Sequence, residues 1–222
     1  RPGRELSETP VPPSPTPAGR EIVIVNRPEL GQARIIVAHG GIARTSPDRL
    51  AAILVNNVLG GSGFSSRLMA RVRSDEGLTY SVSSGFAMRR RAGPFRVSTF
   101  TRVPEARRVV DLLVLGIESM RTDPPDDAEL AGVKSYVLGR FALNLETSSA
   151  VMSSLVALDV YGLPEDSLDS YRARVRSVDS ADTARVAREL LFPDASAIVL
   201  VGPSEELVPQ FESLGSVRVV EP

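Results

Sequence analysis

In the segment Arg73-Ser-Asp-Glu-Gly-Leu-Thr-Tyr80, a cation at the end of a helical stretch and a phenol at the start of a strand are turned back toward each other at Gly77. Arginine supplies a rigid fork of N–H donors and tyrosine one O–H more, a set that suits an oxygen gaining negative charge better than a neutral carbonyl. The same two residues also fit a surface arginine beside a half-buried strand tyrosine. Just upstream, Leu59-Gly-Gly-Ser-Gly-Phe-Ser-Ser-Arg-Leu68 offers backbone amides next to a helix N-terminus, the ingredients of an anion or peptide-carbonyl site. It lacks the Gly-Lys-Ser/Thr ending of a phosphate-binding loop and the spacing of G-x-S-x-G, so neither nucleotide hydrolysis nor the α/β-hydrolase reaction is indicated. Two readings stay open for Gly60, Gly61, Ser62 and Gly63: a substrate loop, or a plain turn between helices.

Composition narrows the chemistry further. The 222 residues contain one histidine, His39, and no cysteine, which excludes disulfides, thiolate metal sites and cysteine nucleophiles. A single imidazole cannot make a metal motif with paired histidines, and His39, on an expected strand before Gly40-Gly41, reads as an ordinary strand-end residue; no metal ligand is expected in this chain. With 26 Lys and Arg against 27 Asp and Glu the net charge is −1, so there is no overall positive field for a nucleic acid or an anionic membrane. Apolar runs such as Ala195 to Val201 fall far short of the roughly 20 residues a membrane helix needs, and no membrane span is expected. Arg89-Arg90-Arg91 could attract acidic peptides, although a charged hairpin tip is more often simply solvated. Lys134 is the only lysine, which we read as coding bias.

The elements that must position these residues follow from periodicity. Residues 1–20 carry six prolines among small and polar residues, a semi-rigid linker that cannot build a core, and the domain is placed at 21–222. Glu21 to Asn26 and Ala33 to His39 are β-branched runs that predict strands. A helix is expected with Ser46-Pro47 as its N-cap and N1 pair, running through Leu50, Ile53, Leu54, Val58 and Leu59 to Gly60, and a short one through Leu68, Met69, Val72 and Arg73. Leu78 to Met88 and Phe95 to Arg102 alternate as an antiparallel hairpin. Helices follow at Pro104 to Met120, Asp126 to about Glu146 with an Asp126-x-x-Glu129 capping pattern, Ser148 to Tyr161 ended by Gly162 and Pro164, Ser167 to Val175 and Ser180 to Leu191. A last strand, Ala197 to Val201, closes on Gly202-Pro203. The apolar spacing from Val109 to Ile117, and that of Val151, Leu155 and Leu158, are read as core faces. The order of elements predicts an α+β fold, a mainly antiparallel sheet with helices packed on one face.

Asn57-Val-Leu-Gly-Gly through Ser66-Arg67-Leu68, followed by Arg73 to Tyr80-Ser-Val, resembles the insulinase/pitrilysin-type zinc metallopeptidases, the group of the mitochondrial processing peptidase and small bacterial members. The resemblance extends through Asn26-Arg-Pro-Glu-Leu-Gly-Gln32, Glu129-Leu-x-x-x-Lys134, Leu143-x-x-Glu146, Tyr161-Gly-Leu-Pro164 and Ile198-Val-Leu-Val-Gly202, about residues 21 to 222. It implies a half-molecule of two related α+β domains, with two halves enclosing a peptide chamber, and this chain as the second domain of one half. In that family zinc is bound through an inverted His-x-x-Glu-His motif in the first domain, whose Glu serves as base; this chain has no such motif. The resemblance therefore implies zinc in a partner domain, of the same parent or of a second half-molecule in a homo- or heterodimer, and none here.

By the same resemblance, Arg73 and Tyr80 match the pair that reaches toward the scissile peptide, orienting it and stabilising the oxyanion. Gly60, Gly61, Ser62 and Gly63 correspond to the substrate-contacting loop of the non-catalytic processing-peptidase subunit, in a much shorter version. The chain alone is expected to be inactive. A non-catalytic structural or assembly subunit with the same fold is the alternative. The start at Arg1, without an initiator Met or signal pattern, reads as a piece of a longer polypeptide, and the Pro-rich connector with no cysteine leans toward the cell envelope or periplasm over the cytoplasm.

Overall fold

The structure is a computed structural model that describes residues 19–221; of the Pro-rich segment, residues 1–18 lie outside the described residues. Six strands form one sheet in the order β3-β4-β2-β5-β1-β6: β1 Glu21–Asn26, β2 Gln32–Gly40, β3 Val82–Phe86, β4 Pro94–Arg102, β5 Ala197–Gly202 and β6 Val217–Val220. Side chains alternate across a strand, and here every second one goes inward: Ile22 and Ile24, Ala33, Ile35 and Val37, Phe95 and Val97, Ile198 and Leu200 are all buried. Helices cover that face. The pairings β2–β4, β2–β5 and β3–β4 are antiparallel, so the sheet is mainly antiparallel as expected. β1, however, runs parallel to both β5 and β6, with Ile24 opposite Leu200 and Val219.

The helices are α1 Arg49–Asn56, α2 Ala106–Thr122, α3 Asp127–Leu143, α4 Ser148–Tyr161, α5 Tyr171–Ser177, α6 Ser180–Leu190 and α7 Ser204–Phe211. Their ends are set by local chemistry. Asp126 accepts from the Glu129 N–H at 2.8 Å while Glu129 reaches back to the Asp126 N–H, the reciprocal box read from the sequence. Asp179 and Asp182 do the same for α6, and Gly162, left-handed at φ 61°, stops α4. α2 lays Val109, Val110, Leu113, Ile117 and Met120 into the core, each fully buried, at about 1.5–3 kcal/mol per large side chain.

Three expectations are corrected. Ser46 does not cap α1: its Oγ accepts from the Asp48 N–H at 3.2 Å in a preceding turn, and the helix begins at Arg49. Ala197–Gly202 is not the last strand, because α7 and the four-residue β6 follow it. The third concerns α4, whose Val151, Leu155 and Leu158 are not a core face. α4 buries none of its residues, and Met152, Leu155, Val156 and Val160 stand more than half exposed. Among the described residues no single helix is long and apolar enough to cross a membrane.

Candidate functional site

Between α1 and β3 the chain makes two wide helical turns, Asn57–Gly61 and Met69–Asp75, separated by a tight turn at Gly63–Ser65. Such π-type widening recurs at functional sites. The first wide turn lies hard against the edge of the sheet. A Cβ on Gly60 would sit 2.6 Å from Ser84 Oγ and 3.0 Å from the Ser84 backbone N, and one on Gly61 would sit 2.5 Å from Asn56 Nδ2. Asn56 ties the same spot to β3: its Nδ2 donates to Ser84 O at 3.2 Å and its Oδ1 accepts from Ser84 Oγ at 2.7 Å. Ser62 is buried and its hydroxyl donates to Asn57 O at 2.8 Å. The structure therefore places Gly60, Gly61 and Ser62 in packing contacts. Gly63, at φ +65°, is the exposed member with open space around it.

Arg73 lies in the second wide turn, held by buried Met69 and Val72. The turn is closed by Gly77, also at φ +65°, whose N–H donates to Arg73 O, while the Leu78 N–H donates to Val72 O, both at 3.0 Å. From there Leu78–Ser81 is fastened to β4 by threonine hydroxyls. Thr101 Oγ1 donates to Leu78 O at 2.7 Å, and Thr99 Oγ1 to Ser81 O at 2.8 Å. Thr79 is buried in this seam, so its neighbour Tyr80 stands outward just ahead of edge strand β3.

These turns bring three side chains together. The Arg73 guanidinium sits 4.6 Å from the centroid of the Phe64 ring and 5.0 Å from that of Tyr80, and both aromatic residues are 72% exposed. Cation–π contacts with both rings hold the guanidinium without spending its N–H groups: Arg73 forms no ion pair with any described residue. The sequence pairs Arg73 with Tyr80 but gives no hint of Phe64 as the third member. The available signal is an aromatic residue in a Gly/Ser-rich turn that has no core to enter.

Arg67, six residues before Arg73, does have partners. It grips Glu129 through two N–H groups, one of them at 2.8 Å, and donates to Asp123 O at 2.7 Å. This pair raises the Arg67 pKa and lowers that of Glu129. It locks the loop-side helix to the α2–α3 junction, as a structural tie and not a free charge. His39 is buried between Phe95, stacked at 4.7 Å, and Phe192, edge-on at 5.3 Å. Its Nδ1 lies 2.7 Å from Gly40 O and its Nε2 accepts from the Phe192 N–H at 3.3 Å, so the ring is neutral with the proton on Nδ1, and burial lowers its pKa.

The chain matches the description "Peptidase M16 inactive domain" over residues 3–137, and it belongs to that family. It is 32% identical over 192 residues to a protein of Streptomyces coelicolor named an uncharacterised zinc protease, covering 85% of this chain and 40% of that one. A Bacillus subtilis protein of the same description is 26% identical, covering 82% of this chain and 44% of the relative. The chain thus spans about two fifths of the length of these curated relatives. A solved peptidase M16 inactive domain from Pseudomonas fluorescens superposes with a TM-score of 0.77 at 29% identity, over 85% of this chain and 45% of that one. The residues present do not fit a zinc ion: among the described residues no three His, Asp or Glu side chains cluster to hold a metal, and both nitrogens of His39 are engaged.

Proposed function

We propose that this domain forms a wall of the peptide chamber of a zinc metalloendopeptidase, presenting Arg73 and Tyr80 to the scissile peptide. The zinc is assigned to a zinc-bearing N-terminal domain of the longer protein or to a second half-molecule, in a homo- or heterodimer. The observation that carries this reading is the Arg73 guanidinium, held in cation–π contact with two exposed rings and committed to no ion pair. Donors already held beside a phenol cost little reorganisation when a carbonyl oxygen gains charge, the condition under which such donors lower a barrier. Tyr80 lies two residues before β3, the outermost strand on its side of the sheet, so an extended peptide added along that edge would bring its backbone past the pair. Gly63 and Phe64 would then border the peptide from the loop side.

The test uses the full-length protein and its partner. Arg73→Ala is expected to lower turnover about 100-fold, the usual loss for one oxyanion donor, and Tyr80→Phe about tenfold, the worth of one hydrogen bond, with zinc content unchanged in both. Turnover within twofold of the parent would remove the catalytic role. A full-length protein that holds no zinc and cleaves no peptide would make the domain a structural or assembly subunit.

A further inference from the structure

Beside the glycine loop, an open groove of about 480 Å³ runs between one face of α1 and the end of β3. Its walls are Arg44, Arg49, Ile53, Asn56 and Asn57 on one side and Gly85 to Arg89 on the other. Three arginines line it and no Asp or Glu does. Arg44, Arg49 and Arg89 form no ion pair with any described residue, and Arg44 Nε is buried without a hydrogen-bond partner. The acid nearest in sequence, Asp48, is already spent on Arg185 at 2.6 Å.

The cluster is also placed against its own interest. Arg49 is the first residue of α1, whose first turn holds no acid, so its charge meets the positive end of the helix dipole. Burial and the like charges of Arg44 and Arg174 all push its pKa down. The Arg44 guanidinium is nonetheless held over the Tyr161 ring at 4.8 Å, pinned beside the groove. Cations kept together with no counter-ion, in a concave site of this size, need an anion to complete them.

We propose that this groove binds a carboxylate of an extended peptide, either an acidic side chain or the C-terminal group, with Arg44, Arg49 and Arg89 as its ligands. The groove reaches Asn56, which lies directly under Gly61 and holds Ser84 of β3, so a peptide laid along the edge strand enters it on leaving the Arg73–Tyr80 pair. The assignment extends the peptide-chamber reading, but it is tested by binding, which needs no hydrolysis.

The experiment is fluorescence anisotropy on this chain with three labelled decapeptides of one sequence: one with a central Glu and an amidated C-terminus, one with Gln in its place, and one with Gln and a free C-terminus. At least one carboxylate-bearing peptide is expected to bind ten times more tightly than the amidated Gln peptide, and which one identifies the source of the carboxylate. Arg44→Gln with Arg49→Gln should abolish that preference, and Arg218→Gln on the opposite sheet edge should keep it. Circular dichroism establishes folding; if the double variant is unfolded, Arg89→Gln on the hairpin replaces it and should cut the preference at least threefold. Equal binding of all three peptides, a preference that survives the arginine substitutions, or displacement of the peptide by a single-stranded oligonucleotide at equal concentration would each overturn the proposal. If the preference holds while Arg73→Ala leaves turnover intact, the chamber chemistry fails and the groove stands.

Discussion

α2 and α4 both carry several large apolar side chains, and they end up in opposite surroundings. α2 is one-sided: Val109, Val110, Leu113, Ile117 and Met120 enter the core while Arg107, Asp111 and Glu118 stay outside. α4, Ser-Ser-Ala-Val-Met-Ser-Ser-Leu-Val-Ala-Leu-Asp-Val-Tyr, is apolar nearly all round, with Asp159 its one charge, and it buries nothing. One-sided patterning marks a helix whose partner is the sheet of its own domain, whereas an apolar surround on a bare helix means that this domain supplies no partner. The glycine loop belongs with α2. There, small residues let backbone and side chains close on each other to the point where Gly60 has no room for a methyl group.

The largest effect is expected on the filled side. Leu113→Ala leaves a hole in the core and should cost about 2–5 kcal/mol, lowering Tm by roughly 5–15 °C for a domain of this size. A loss under 1 kcal/mol in a denaturant titration would mean that α2 is not anchored as described. Gly60→Val should follow at about 1–3 kcal/mol, since Ser84 and its backbone must give way. Suppression of that loss by Ser84→Ala would trace it to the Oγ contact; persistence would trace it to the β3 backbone.

The filled side also carries two acid-labile groups that act in different pH windows. His39 has a folded pKa below its ordinary value, so its contribution is complete above about pH 6.5 and declines as pH falls from there through the lowered value, because the unfolded chain binds the proton first. Glu129, held down by Arg67, contributes fully above about pH 4.3 and loses that contribution as pH falls through its depressed value. The pair is partly exposed, with side chains at 23% and 35%, so its share is at most about 1 kcal/mol. Chemical denaturation at pH 7, 5 and 3 should show His39→Gln flattening the upper step and Glu129→Gln the lower. Identical pH profiles for parent and variants would show that neither group titrates differently on folding.

What the sequence makes legible follows the range of the interaction. The Asp126–Glu129 box, the Gly162 stop and the β3–β4 hairpin depend on neighbours a few residues away, and all are found where they are expected. The parallel placement of β1 beside β5 joins residues such as Ile24 and Leu200, which no local pattern announces. β6 is four residues long and follows a helix with Pro209 inside it, so both fall below the periodic signal. Arg73 and Tyr80 are visible as a pair because one turn joins them. Phe64 is hidden because a separate turn of the loop, with Gly63 left-handed, has to carry its ring back over the guanidinium.

The smallest expected effects lie on α4, where periodicity misleads because it cannot tell what stands opposite a helix. Met152→Glu with Leu155→Glu removes two side chains that are 63% and 53% exposed, and no core contact is lost. Glutamate is as good a helix former as methionine or leucine, so stability should stay within about 0.5 kcal/mol of the parent. A helix of 14 residues is marginal by itself in water, and here it rests on its caps. Thr147→Ala removes the 3.2 Å bond from the Ala150 N–H and should fray α4 by about 1 kcal/mol. Amide exchange should speed up at Ala150 and Val151 while the protection of α2 stays unchanged. If the double glutamate substitution instead cost 2 kcal/mol or more, α4 would have to be packed against this domain in solution, and the contrast with α2 would fall.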